Sequence, residues 1–248
     1  REVSLTLIRL FPSFAELPRL SAEEQSWEIA KAYGICNGWR INFAVNDRGE
    51  SFGASGSSIE VSTELDRLLL GKIRSQADVI VTSGKTARTE KYRSSKHAPI
   101  AIFTNSGDLD SVPAIQGTQY FTPIILTCVK HLEVVEEALA DVDVRVLAYD
   151  SESSRAWPVA IDAALRHEGF QSPVLESGLD SLRLFIEQGV ISEVCLSVTA
   201  STGRQVSARE LSPAHLQALF GASSRFELLT LFSDGQTLFS RWAVRGVA

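Results

Sequence analysis

Short apolar, β-branched runs recur along the chain, separated by stretches with helical spacing. The strand-like runs are residues 4–8, 40–45, 79–82, 100–104, 123–127, 144–148, 173–175 and 193–199. Ser21 with Glu24 forms a capping-box signature ahead of a helix reaching about residue 32. Ser62 is placed to cap a second helix, in which Leu65, Leu69 and Ile73 recur every four residues. Leu132, Val135 and Leu139 mark a third helix, residues 159–167 a fourth and residues 182–188 a fifth. This alternation predicts an α/β fold with a largely parallel sheet covered by helices. Residues 226–232 and 237–244 flank Ser233-Asp234-Gly235, and Asp-Gly between two such runs predicts an antiparallel hairpin. The predicted sheet is therefore mixed, mostly parallel, with a C-terminal antiparallel hairpin.

Residues 50–58 and 105–117 read as loops inside a domain, because strands are expected to pair across both. No internal repeat or low-complexity segment interrupts the pattern. The predicted organisation is one domain over 1–248, with 1–37 an N-terminal extension packed on it. A folded chain of 248 residues buries roughly 70–75% of its unfolded surface, which allows a sizeable core.

Charge narrows the classes of function. Lys and Arg number 24 against 30 Asp and Glu, a formal net charge of −6. A nucleic-acid binder needs a basic face, and no run of five like charges occurs. A few local cations still suffice for one small anion. No apolar stretch reaches about 18 residues, and Arg1 to Arg9 hold no signal-peptide core, so neither a membrane span nor export is predicted. Cys36, Cys128 and Cys195 form an odd, widely spaced set without CxxC, which predicts neither disulfides nor zinc and suits a reducing cytoplasm. His97, His131, His167 and His215 are scattered, with no metal-ligand spacing. No G-x-S-x-G occurs, so a serine hydrolase elbow is absent. Trp27, Trp39, Trp157 and Trp242 are isolated and read as core or dimer contacts.

Candidate chemistry lies at three strand ends. In ADVIVTSGKTARTEKY (77–92) an apolar strand runs into Thr82-Ser83-Gly84-Lys85-Thr86. Small residues there let backbone N–H groups approach a phosphate, although a plain capped turn uses the same residues. A Walker A loop would need Gly five residues before Gly84, where Val79 stands. In PVLESGLDSLRLFIEQG (173–189) a strand ends at Glu176, and Ser177-Gly178 opens a helix. The alternative is an ordinary N-cap, Ser177 with Asp180. In RINFAVNDRG (40–49) a strand ends in Asn46-Asp47-Arg48-Gly49, equally readable as a turn. No GxGxxG occurs. Ligands of open α/β sheets bind outside the carboxyl ends of strands, so the three ends together form the candidate site.

These stretches, in this order, with QGVISEVCLSV (188–198) and LFSRW (238–242), resemble the pyrimidine-reductase family over roughly residues 40–242. The resemblance implies a dihydrofolate-reductase-like, three-layer αβα fold. It implies an NADPH-dependent reductase, usually a homodimer, acting on a ribosylated or ribitylated pyrimidine or a similar small heterocycle. By the same resemblance Thr82, Ser83, Gly84, Lys85 and Thr86 contact the cofactor, as do Ala44, Thr104, Glu176, Ser177, Gly178 and Leu179. Asn42, Asn46, Ser62, Asp66 and Arg88 fall to the substrate. Asp47 and Glu176 are the carboxyl candidates for catalysis, both expected to face the cleft, and no metal is implied. The sequence departs from the family pattern at Arg48, which stands in the place of an Asp, at Lys85 and at Ser177. Two further readings follow: a nucleotide-binding regulatory relative that has lost the site, and a reductase of another small carbonyl or imine.

Overall fold

The computed structural model describes residues 6–51, 61–151, 153–200, 211–221 and 224–246. Most of the expected loop 50–58 lies outside the described residues. The elements begin with β1 (Leu7–Phe11), β2 (Ala15–Leu17), α1 (Ala22–Tyr33), β3 (Trp39–Asn46) and α2 (Glu64–Ser75). Next come β4 (Val79–Ser83), α3 (Gly84–Thr89), β5 (Ile100–Phe103), α4 (Pro113–Gln116), β6 (Ile124–Cys128), α5 (Leu132–Ala138) and β7 (Arg145–Tyr149). The chain continues through α6 (Trp157–His167), β8 (Pro173–Leu175), α7 (Leu179–Glu187) and β9 (Ile191–Thr199). It closes with α8 (Pro213–Phe220), β10 (Arg225–Ser233) and β11 (Thr237–Arg245).

All eleven strands join one sheet in the order β2-β1-β10-β11-β9-β3-β8-β4-β5-β6-β7. From β9 through β3 to β7 the pairing is parallel. From β9 through β11 and β10 to β2 it is antiparallel. The expected C-terminal hairpin is thus the centre of a larger antiparallel half. β1 runs from Leu7 to Phe11, residues 4 and 5 of the expected strand lying outside the described residues, and β2 carries no sequence signal because three residues are too few to show alternation.

Alternation along the strands sets the two helical layers. Trp39, Ile41, Phe43 and Val45 face Ile161 and Leu165 of α6, Phe185 of α7 and Phe220 of α8. Ile80, Ile102, Ile125 and Cys195 face Ile29 of α1, Leu69 and Ile73 of α2 and Val135 of α5. This is the three-layer αβα fold that the resemblance implies. Each fully buried Leu, Ile or Phe contributes about 1.5–3 kcal/mol.

Helix α1 starts on the expected capping box: Ser21 N–H donates to Glu24 Oε2 at 2.8 Å, and Glu24 N–H donates to Ser21 Oγ at 3.3 Å. Its other end is fastened by buried charge. Arg40 Nη2 donates to the Tyr33 and Gly34 carbonyls at 3.2 and 2.9 Å, and to Glu193 Oε2 at 2.8 Å. Arg241 donates to the Ala32 carbonyl at 3.1 Å and pairs with Glu193 Oε1 at 3.1 Å. Terminal helix carbonyls with no partner of their own are thereby satisfied from β3 and β11.

Two caps differ from the sequence reading. Thr63, not Ser62, caps α2, its Oγ1 accepting from Asp66 N–H at 3.3 Å. Ser62 instead donates to Asp66 Oδ2 at 2.6 Å. Gly178, not Ser177, is the N-cap of α7, so the N-cap residue itself supplies no side-chain capping bond. A hydroxyl one residue too early cannot reach the second or third amide of the helix. The loop 105–117 also holds the helical turn α4, begun by Pro113 at its first position.

Candidate functional site

The C-terminal ends of β4, β5, β6 and β7 surround a cleft of about 510 Å³. The turn from β4 into α3 supplies Ser83, Gly84, Lys85 and Arg88, and the end of β5 supplies Phe103, Thr104, Asn105 and Ser106. Cys128 ends β6 and Lys130 stands in the turn after it, and the segment from β7 to α6 brings Tyr149, Ser151, Ser153, Ser154 and Trp157. Among the described residues three cations and no carboxylate line this cleft, in a chain of net charge −6. Arg88 pairs with Asp108 at 3.6 Å. Among the described residues no carboxylate lies within ion-pair distance of Lys85 or Lys130.

The β4 turn is built for close approach. Ser83 caps α3, accepting from Thr86 N–H at 3.1 Å. A side chain at Gly84 would put its Cβ 3.3 Å from Thr104, so glycine lets the ends of β4 and β5 converge. Thr86 then ties this turn to the next: its Oγ1 accepts from Ser83 Oγ at 2.9 Å and from Gly178 N–H at 3.2 Å. Beside that latch Ser177 Oγ is buried without a hydrogen-bond partner, and so is Thr82 Oγ1.

Glu176 does not line this cleft. Its Oε1 accepts from Arg74 Nε at 2.9 Å; its Oε2 accepts from Arg74 Nη2 at 2.6 Å and the Tyr92 hydroxyl at 2.7 Å. Burial, then the Glu176 carboxylate, pushes the Tyr92 hydroxyl well above its usual range. This arrangement fastens the turn after β8 to α2 and to Tyr92. Asp47 does not line the cleft either; its N–H donates to the Thr199 carbonyl at 3.0 Å within the turn after β3.

A second polar group lies along β3, where Asn42, Ala44 and Asn46 are half-buried on alternate positions. Asn46 is occupied by its own turn: Oδ1 accepts from the N–H groups of Arg48 and Glu50 at 2.9 and 3.0 Å, and Nδ2 donates to Glu50 Oε2 at 2.7 Å. Ala44 pairs with Ser197 of β9, and Ser197 hydrogen-bonds the buried Asp66 carboxyl. Burial raises the Asp66 pKa; hydrogen bonds from Ser197 and Ser62 and the charge of Arg67 oppose it, and Asp234 adds to it.

That direction fixes a pH dependence. A carboxyl with a raised folded-state pKa contributes stability at low pH and loses it as pH rises through the folded value. Asp66→Asn is therefore expected to gain stability over the wild type progressively from about pH 4 upward. Urea denaturation of both proteins at pH 3 and pH 7 reads this. An equal difference at the two pH values would show that Asp66 titrates normally.

The structure thus gathers Ser83, Gly84, Lys85, Thr104 and Arg88 around the cleft. Thr86, Gly178 and Glu176 form the latch next to it, and Asn42, Ala44, Ser62 and Asp66 sit along β3 and α2. Leu179 packs on the core. Trp157, expected in the core or at a dimer contact, packs on the core and also lines the cleft. Lys130, Tyr149 and the serines after β7 carried no motif. The rule that ligands gather at strand C-termini, extended from three strand ends to all of the parallel ones, points to them. Among the described residues no cluster of His, Cys, Asp or Glu could hold a metal ion, and no helix is long and apolar enough to cross a membrane.

No family model matches the chain, and no curated protein matches it in sequence. Solved structures match its fold. A pyrimidine reductase-like protein from Corynebacterium diphtheriae is 20% identical with a TM-score of 0.62, covering 91% of this chain and 99% of that one. RibD of Acinetobacter baumannii is 17% identical with a TM-score of 0.61, over 84% of this chain and 58% of RibD. The riboflavin biosynthesis reductase Rib7 of Saccharomyces cerevisiae is 11% identical with a TM-score of 0.60, over 88% and 98%. At these identities the likeness is one of fold: the chain has the fold of the pyrimidine reductases.

Proposed function

We propose that the chain is an NADPH-dependent reductase of a small heterocycle related to 5-amino-6-(5-phosphoribosylamino)uracil. The observation that carries the reading is the cleft: three cations and several hydroxyls gathered at the strand C-termini of a pyrimidine-reductase fold. The residues fit a phosphate-bearing dinucleotide. Lys85, Arg88 and Lys130 offer charge, Gly84 allows close backbone approach, and the unpartnered Ser177 hydroxyl stands next to the N-terminus of α7.

When bound, a reduced nicotinamide supplies the hydride. The protein's own part is to hold and orient. The Thr86–Gly178 latch keeps the two phosphate-side turns in register. Ala44 and Asn42 give the substrate ring a surface on β3. Asp66, held by the Ser62 hydroxyl, is offered to the substrate; Glu176, already neutralised by Arg74, positions its turn. The reading includes a homodimer and a reducing cytoplasm, the latter supported by three buried free thiols.

Thermal melting with NADPH and NADH tests the cofactor. A ligand at about 100 times its dissociation constant adds roughly 2.7 kcal/mol, a rise of roughly 5–10 °C for a chain of this size. The expected result is a saturable rise with NADPH, and NADPH oxidation with the aminouracil substrate. A rise without oxidation would transfer the reading to another carbonyl or imine. No rise with either dinucleotide would favour the regulatory relative.

A further inference from the structure

We propose that Trp157, beside the buried Tyr149, forms a stacking surface for the adenine ring of the dinucleotide, while Lys85 and Arg88 on the far wall take its phosphates. The inference rests on the dinucleotide reading of the cleft and adds the direction in which the ligand lies. Two properties of the walls carry it.

The first is polarity across the cleft. Lys85 and Arg88 stand at the end of β4; Tyr149 and Trp157 stand at and beyond the end of β7. With β5 and β6 between them, the two walls are three strand spacings, about 14 Å, apart. One wall is cationic and the other aromatic. A ligand with a flat ring at one end and phosphates at the other satisfies both; a plain phosphate or a purely apolar ligand satisfies one.

The second is how Trp157 is held. Trp39 and Trp242 are fully buried, at 0% and 1% exposure, whereas Trp157 is only half-buried. Its ring lies 5.0 Å from Phe103 and 5.3 Å from Phe185, edge-on to the latter, which fixes it from the core side. The loop before it is braced as well. Ser151 Oγ donates to the Ser153 carbonyl at 2.8 Å, and Ser153 Oγ accepts from Ala156 N–H at 3.1 Å. The buried Pro158 follows at once. An aromatic ring immobilised before binding loses little freedom when a base stacks on it, and such stacking is worth roughly 5- to 150-fold in affinity.

The test uses the full chain with three probes: NADPH, adenosine 2′,5′-bisphosphate and reduced nicotinamide mononucleotide. Affinities are read by calorimetry and ring proximity by tryptophan fluorescence. In the wild type, the adenosine bisphosphate is expected to bind and to quench emission. Trp157→Phe, which keeps a ring and the core contact, is expected to hold affinity within about threefold and lose most of that quenching. Trp157→Leu is expected to weaken NADPH and adenosine bisphosphate by about fivefold or more, with the mononucleotide unchanged. If NADPH binds while Trp157→Phe quenches like the wild type and Trp157→Leu binds equally well, the stacking surface is overturned and the dinucleotide reading stands. If adenosine bisphosphate binds and quenches but NADPH does not, the surface stands and the reductase reading falls. Binding of none of the three probes overturns both.

Discussion

Arg40→Met lowers the unfolding free energy by roughly 3–5 kcal/mol, the cost of breaking a buried ion pair from one side. Arg40 is 3% exposed, and its guanidinium bonds the Tyr33 and Gly34 carbonyls, Gln76 and Glu193. Methionine fills much of the volume but leaves two carbonyls at the end of α1 without this donor. It also leaves Glu193 with Arg241 as its remaining cation. Glu193→Gln acts in the same direction for a different reason, since Arg40 and Arg241 then converge without a carboxylate between them. The thiols in this cluster give no relief: burial pushes Cys36 up to about 11 and Cys195 up to about 12, so neither adds charge at neutral pH. Urea denaturation, with the slope compared to the wild type, reads the loss. A change below about 1 kcal/mol would mean that water replaces the guanidinium and that α1 is held to the sheet by packing alone.

That cluster also marks where sequence reading stops. Residues 40–45 and 193–199 read plainly as strands because each is short, apolar and β-branched over a face that the sheet buries. Nothing in either run says that Arg40 and Glu193 meet, since strand order is a property of the whole sheet. β3 lies between β9 and β8, partners separated from it by more than a hundred residues. The site divides in the same way. Ser83 to Thr86 were legible because strand end, glycine and hydroxyl are adjacent in the chain. Trp157 was not, because its place in the cleft depends on β7 closing the parallel half of the sheet. Capping showed both outcomes at close range. The Ser21–Glu24 box formed as written, whereas at Ser62 and Ser177 a shift of one residue moved the cap to Thr63 and Gly178. Periodicity locates a helix to within a turn, and a cap needs the exact residue.

Glu176→Gln separates a catalytic carboxyl from a positioning one. A glutamine keeps the shape of the side chain and an acceptor for Arg74 or Tyr92, but not the charge that now receives three bonds from them. Hydrogen bonds to charged groups contribute about 1.5–3 kcal/mol each, and Arg74 keeps 22% of its side chain exposed, so water recovers part of the loss. The expected destabilisation is about 2–3 kcal/mol, smaller than at Arg40. The functional consequence runs through the backbone. Glu176 N–H donates to the Val81 carbonyl at 2.9 Å, and two residues later Gly178 N–H meets Thr86. Loosening Glu176 therefore loosens the turns after β8 and β4 at once. Cofactor affinity is expected to fall about tenfold, with kcat at saturating cofactor retained within a few-fold and the pH profile of kcat keeping its shape. A proton donor would behave otherwise: its loss typically lowers kcat by about 10²–10⁴-fold and removes one limb of that profile. Steady-state kinetics of Glu176→Gln from pH 5 to pH 9, with cofactor binding measured in parallel, decides between them. A collapse of kcat with unchanged cofactor affinity would return Glu176 to the chemistry.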